Sequence, residues 1–123
     1  EYEEPKGYYH LIRDGKDLLK GKRAKYCYSY PNGDYEYQDS GGYFHLIRDD
    51  VDLLKGKNAK GCFSFDNGDY KYKDSEGYYH LIRNDIDLLK GKKVKYCWSY
   101  PNGDYKYQDS YGIWYYIKKE PKT

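Results

Sequence analysis

A chain of 123 residues with a mean hydropathy of -1.20 lies near the compositional border of disorder, yet its net charge of only +2 and its 20% aromatic content argue for a folded domain. Its 20 tyrosines can bury ring area while keeping a hydroxyl in water, so a thin core built of tyrosine is expected in place of an aliphatic one. No apolar run approaches the ~18 residues of a membrane-spanning helix. The basic excess is too slight to argue for nucleic acid by itself, and the odd count of three cysteines excludes a fully paired disulfide framework.

The chain opens inside a repeat, because Glu1-Tyr2 aligns with Glu36-Tyr37, Lys71-Tyr72 and Lys106-Tyr107. GYYHLIRD (Gly7 to Asp14) reads as a strand, with Tyr8, His10 and Ile12 on one face and Tyr9, Leu11 and Arg13 on the other. DLLKGK (Asp17 to Lys22) is an apolar pair before a Lys-Gly-Lys turn, and it fits a short strand or a single helical turn equally well. AKYCYSY (Ala24 to Tyr30) and DYEYQDS (Asp34 to Ser40) flank a Pro-Asn-Gly turn, a strong hairpin signal. A Ser/Gly-rich corner (Ser40 to Gly42) then leads into the next strand.

The pattern returns without gaps. Gly7, Gly42, Gly77 and Gly112 stand 35 residues apart, as do His10, His45 and His80, Arg13, Arg48 and Arg83, and Cys27, Cys62 and Cys97. The expected organisation is one repeat domain over 1–123: a partial unit at 1–6, repeats at 7–41, 42–76 and 77–111, and a capping strand at 112–123. That last segment, GIWYYIKK, lacks the His and Arg of its counterparts and gains Trp114, Tyr115 and Tyr116. The absence of Met suggests a processed or excised chain, with no signal peptide visible, and a secreted or cell-surface location is favoured.

Turn geometry decides which side chains meet. A two-residue I′ loop at Asn32-Gly33 places Tyr30 opposite Tyr35 and Tyr28 opposite Tyr37, with all four rings on one face, as the amphipathic pattern favours. A type I turn with Gly33 as a bulge shifts the register by one and splits the rings between faces, as Pro31 favours. The first register is the expectation.

The fold class is therefore all-β: three and a half tandem antiparallel β repeats of 35 residues, as an open hairpin array or, alternatively, a closed threefold fold of β-trefoil type. The half unit favours the open array, where an atypical end unit caps an edge. SYPNGDYEY and SYPNGDYKY resemble the Tyr-x-Asn-Gly-Asp hairpins of MORN repeats, and this resemblance implies elongated single-layer antiparallel sheets. GYYHLIRDG resembles the Trp-Tyr-Tyr hairpins of choline-binding and related glycan-binding repeats. The period here is longer than in either family, and the additional MORN glycines are absent.

Three sets of residues could carry function. The aromatic face of the expected register comprises Tyr28, Tyr30, Tyr35, Tyr37, Phe63, Phe65, Tyr70, Tyr72, Trp98, Tyr100, Tyr105 and Tyr107, an apolar platform edged by Asn, Asp and Gln that suits flat sugar faces or a protein partner, unless these rings are simply the core. The Lys loops carry Lys20, Lys22, Arg23, Lys25, Lys55, Lys57, Lys60, Lys90, Lys92, Lys93 and Lys95, a possible seat for heparin or nucleic acid. The recurring His and Cys lack metal-ligand spacing and read as partly buried structural residues. No P-loop, Gly-x-Ser-x-Gly or zinc motif is present, and no repeat departs from the others as an active site would require. The expectation is a non-enzymatic, multivalent module without cofactor or metal. It binds a glycan or cell-surface polymer through one weak site per repeat, the alternatives being a self-associating or protein-interaction array and polyanion binding.

Overall fold

The computed structural model describes residues 2–3 and 7–119, with side chains from Gly7 onward. The partial unit expected at 1–6 is described only at Tyr2–Glu3, and the capping segment from 120 onward lies outside the described residues. All regular structure among the described residues is strand, so no helix is long and apolar enough to cross a membrane.

The chain divides into two compact units, Glu1–Lys60 and Gly61–Thr123. In the first, β1 (Tyr2–Glu3) pairs with β2 (Tyr9–His10), and β3 (Ile12–Arg13) with β4 (Lys16–Asp17). A four-stranded sheet follows in the order β5 (Tyr26–Ser29), β6 (Tyr35–Gln38), β7 (Phe44–Arg48) and β8 (Val51–Asp52). The second unit repeats that sheet with β9 (Gly61–Ser64), β10 (Tyr70–Lys73), β11 (Tyr79–Arg83) and β12 (Ile86–Asp87). It then adds a three-stranded sheet of β13 (Val94–Ser99), β14 (Tyr105–Asp109) and β15 (Trp114–Ile117). All pairings are antiparallel and none of these sheets closes on itself, as the open hairpin array requires and the closed threefold fold does not allow.

The hairpin register corrects the expected aromatic face. Ser29 lies opposite Tyr35 and Cys27 opposite Tyr37, while Tyr28 faces Glu36. The Gly33 N–H donates to Tyr30 O at 3.0 Å, the Tyr30 N–H donates to Asp34 O at 2.8 Å, and Gly33 adopts a φ of 97°. This is a type I turn closed by a glycine bulge, the geometry that a proline at the first central position prepares. The second and third hairpins close alike through Gly68 and Gly103. A two-residue loop with both residues at positive φ does occur, at Asp49-Asp50 between β7 and β8 and at Asn84-Asp85 between β11 and β12. Asp and Asn tolerate that backbone better than other side chains.

The DLLKGK segment begins on the last residue of a two-residue strand and continues as a turn. Asp17 Oδ1 accepts the Leu19 N–H at 3.0 Å, and Asp52 and Asp87 do the same for Leu54 and Leu89. These three leucines are about 1% exposed. The innermost side chains are therefore aliphatic, Leu19, Leu46, Leu54, Leu81, Leu89 and Val94, together with Cys97, and the expected tyrosine-built core is corrected accordingly. Tyr35 and Tyr37 join the leucine cluster of the first unit, while Tyr79, Tyr105 and Tyr107 pack around that of the second. A few leucines per repeat, fully buried, supply the centre of the core in this hydrophilic chain, while Ile12, Val51 and Ile86 stay exposed. No disulfide joins the cysteines: Cys27 and Cys97 are small core residues and Cys62 is half-buried.

Candidate functional site

Recurring polar clamps fix the strands that flank the hairpins. His45 bonds Asp52 through Nδ1 at 2.7 Å and Asp39 through Nε2 at 2.8 Å, with its ring stacked on Tyr37 at 4.6 Å. His80 repeats this with Asp87 at 2.7 Å, Asp74 at 2.8 Å and Tyr72 at 4.7 Å. His10 bonds Asp17 through Nδ1 at 2.6 Å. Burial alone pulls the His45 and His80 pKa values down, but hydrogen bonds to the paired carboxylates and their charges outweigh it, so both titrate above their ordinary value. Burial likewise acts to raise Asp39 and Asp74, and the bonds from histidine and backbone N–H groups carry both below the usual carboxylate range. An imidazolium with both N–H groups donated to carboxylates holds strands together and has no nitrogen left for general base work.

The arginines tie hairpin turns. Arg83 donates through Nε and Nη2 to the buried Asp69 and through Nη2 to Gly103 O at 2.9 Å, while Arg13 donates to Gly33 O and to Ser29 Oγ, both at 2.9 Å. Burial, only partly offset by the charge of Lys71, pushes the Cys97 thiol up to about 12, which removes it as a nucleophile at neutral pH.

The twelve aromatic residues expected on one face are dispersed. Tyr30, Tyr35, Tyr37, Phe65, Tyr70 and Tyr72 are buried, Phe63, Trp98, Tyr100, Tyr105 and Tyr107 are half-buried, and Tyr28 is exposed. The eleven basic loop residues are all exposed, from Lys20, Lys22, Arg23 and Lys25 through Lys55, Lys57 and Lys60 to Lys90, Lys92, Lys93 and Lys95. Lys22 and Lys92 each sit 6.0 Å from a ring centroid, of Tyr37 and Tyr107.

Position 71 gathers rings around a charge. Lys71 is only 6% exposed, and its Nζ lies 4.3 Å from the Tyr96 ring, 4.9 Å from Trp98, 5.1 Å from Tyr79 and 5.9 Å from Phe65. It donates to Cys97 O at 3.0 Å. Phe65 and Tyr79 come from the ammonium's own sheet segment, whereas Tyr96, Trp98 and the carbonyl come from β13 of the next repeat.

One period on, Lys106 has Tyr100 at 5.8 Å and Trp114 at 5.1 Å. In the ladder it lies opposite Trp98 and Tyr116, so those side chains share its face. Tyr116 replaces the fully buried Leu81, is 53% exposed, and donates its hydroxyl to Asp104 Oδ2 at 2.8 Å. Tyr115 replaces the histidine: it stacks on Tyr107 at 5.0 Å and donates to Asp109 Oδ2 at 3.1 Å. Lys106, Trp114, Tyr115 and Tyr116 line a shallow cleft of about 360 Å³. Tyr111 and Ile113, between β14 and β15, are exposed as well. Trp114, Tyr115 and Tyr116, expected as part of a capping strand and not of the ligand face, stand at this cleft. Their departure from the repeat pattern was the signal available.

Fold and site together define an all-β protein of tandem tyrosine-rich hairpins with an exposed aromatic face at β15. No protein-family model, curated protein or solved structure matches the chain.

Proposed function

We propose that this chain is a non-enzymatic protein-interaction module whose binding surface is the aromatic face of β14 and β15 around Lys106, Trp114 and Tyr116. The observation that carries the reading is the contrast within one unit. Lys71 and Leu81 are buried beneath β13, while Lys106 and Tyr116 at the equivalent positions are half-buried and 53% exposed. Contiguous exposed aromatic surface of this kind marks interaction sites, where Trp and Tyr dominate the energetics. Absence of enzymatic activity is supported by the commitment of His45 and His80 to carboxylates and by the buried Cys97 thiol.

A second reading, a carbohydrate polymer as ligand, is favoured by the cleft itself, where half-exposed rings adjoin an ammonium and tyrosine hydroxyls. In either case the ligand face is single, in place of one weak site per repeat. Arrayed peptides and glycans probed with the full chain separate the two readings. The interaction reading expects peptide binding that Trp114→Ala abolishes and that Tyr28→Ala, at the exposed ring of the first hairpin, leaves intact. Binding that survives Trp114→Ala refutes the site, and glycan binding without peptide binding transfers the site to the second reading.

A further inference from the structure

Resting on the interaction reading of this face, we infer that its occupant is an extended peptide strand with aromatic side chains two residues apart, seated on Lys106 and Trp114 as Tyr96 and Trp98 of β13 are seated on Lys71 and Tyr79.

The interior seat states what such an occupant supplies. First, Lys71 needs an acceptor as its neighbourhood dries, and it takes a main-chain carbonyl, that of Cys97, the residue between the two rings. Second, residues i and i+2 of a strand point to the same side, so Tyr96 and Trp98 descend on the ammonium together while the intervening side chain turns away. Third, the rings interlock by edge and face. Trp98 meets Phe65 at 4.9 Å and 89°, and Tyr96 meets Tyr79 at 6.1 Å and 72°.

The outer seat preserves the receiving half of each contact. Lys106 stands for Lys71, Tyr100 for Phe65 and Trp114 for Tyr79. No carboxylate partner of the Lys106 ammonium occurs among the described residues, so an acceptor carried by an incoming chain meets an unclaimed donor. Trp114 is 49% exposed. Tyr116 leans over Tyr100, their rings 5.6 Å apart, and its hydroxyl is held by Asp104, which leaves the Lys106–Trp114 side of the face as the approach. The recognition is of a main-chain carbonyl flanked by two rings. It differs from general stickiness in requiring the i, i+2 spacing.

The test uses the full-length chain and a fluorescein-labelled synthetic peptide with the sequence of residues 93–108, serine replacing its cysteine, followed by anisotropy. A second peptide carries leucine at the positions of Tyr96 and Trp98. The expected result is saturable binding of the aromatic peptide, weakened at least about tenfold by leucine in the peptide and by Trp114→Ala in the protein. Lys106→Met weakens it about fivefold, the loss of one hydrogen-bond donor. Circular dichroism of each variant verifies that it remains folded, and Trp114→Phe, which keeps a ring, restores most of the binding. Equal binding of the two peptides, both still sensitive to Trp114→Ala, overturns the aromatic-strand inference and leaves the interaction face standing. Failure of both peptides to bind, with tryptophan fluorescence responding to an oligosaccharide in the parent chain and not in Trp114→Phe, overturns the inference and the reading beneath it. Failure of both peptides without any such response overturns the inference alone.

Discussion

Lys71 and Lys106 stand one period apart in the same local sequence, each the lysine of a Tyr-Lys-Tyr run after a turn glycine and an aspartate. One is an ammonium enclosed by four rings and a carbonyl, and the other is half-buried beside two rings in a shallow cleft. The difference arises in the strand laid over the first and in the residues of β15, where Leu81 gives way to Tyr116 and His80 to Tyr115. A repeat protein makes a buried core and an exposed aromatic face from one design, and the covering strand decides which it becomes.

The largest effect separates the two regions through Leu81 and Tyr116. Leu81 is fully buried, so Leu81→Ala removes packing and leaves a cavity, with an expected loss of about 2–5 kcal/mol by urea unfolding. Tyr116→Ala removes an exposed ring and is expected to leave the unfolding midpoint close to that of the parent chain. Similar losses from the two variants would show that the outer face is as deeply committed to the fold as the inner one.

A second contrast is in pH. The folded pKa values of His45 and His80 lie above the unfolded value of about 6.5, so their contribution is complete below that value and is lost as pH rises through the folded pKa. Asp39 and Asp74 lie below the unfolded value of about 3.9, so theirs is complete above it and is lost as pH falls through the folded pKa. Stability is therefore expected to be greatest between about pH 4 and 6.5 and to decline on the alkaline side. His45→Gln with His80→Gln should flatten the alkaline decline in Tm. Tyr115→Phe, at the position where a phenol replaces imidazole, should leave it as steep as in the parent chain. An alkaline decline that persists in the double variant would sink the clamp as its cause.

The period of 35, the strand identities and the hairpin turns were legible because Asn-Gly turns and period-two aromatics act locally. The register was not, because both hairpin strands carry rings on alternate positions and either pairing looks amphipathic. Pro31, by fixing the first turn position, was the better guide than the ring pattern. The clamps were legible in principle, since Asp39, His45 and Asp52 recur as Asp74, His80 and Asp87. Nothing in the sequence disclosed the caged lysine: position 71 aligns with Glu36 and Lys106, and lysine is almost never buried. At Glu36 the same buried position is satisfied differently, by the Tyr30 hydroxyl donating to its carboxylate.

The smallest effect tests the cage itself. Burial lowers the Lys71 pKa, with only partial compensation from Cys97, so the unfolded chain holds that proton more tightly than the folded one. The charged form therefore costs stability at neutral pH, and stability rises as pH climbs through the folded pKa toward the unfolded value of about 10.4. Against this stand the hydrogen bond to Cys97 O and the attraction of the rings, about 0.5–2 kcal/mol for such contacts. Replacing a buried charge by an apolar side chain of similar length is commonly neutral or stabilising. Lys71→Met is thus expected to match or exceed the parent stability at pH 7, within about 1 kcal/mol, and to decline more steeply than the parent between pH 7 and 10, where the lysine's rising contribution is missing. Lys106→Met should change neither quantity. A loss above about 2 kcal/mol in Lys71→Met would mean that the rings more than offset the desolvation. The rings of Tyr100 and Trp114 would then hold the Lys106 ammonium by the same attraction, and an acceptor on an incoming strand would add less to binding.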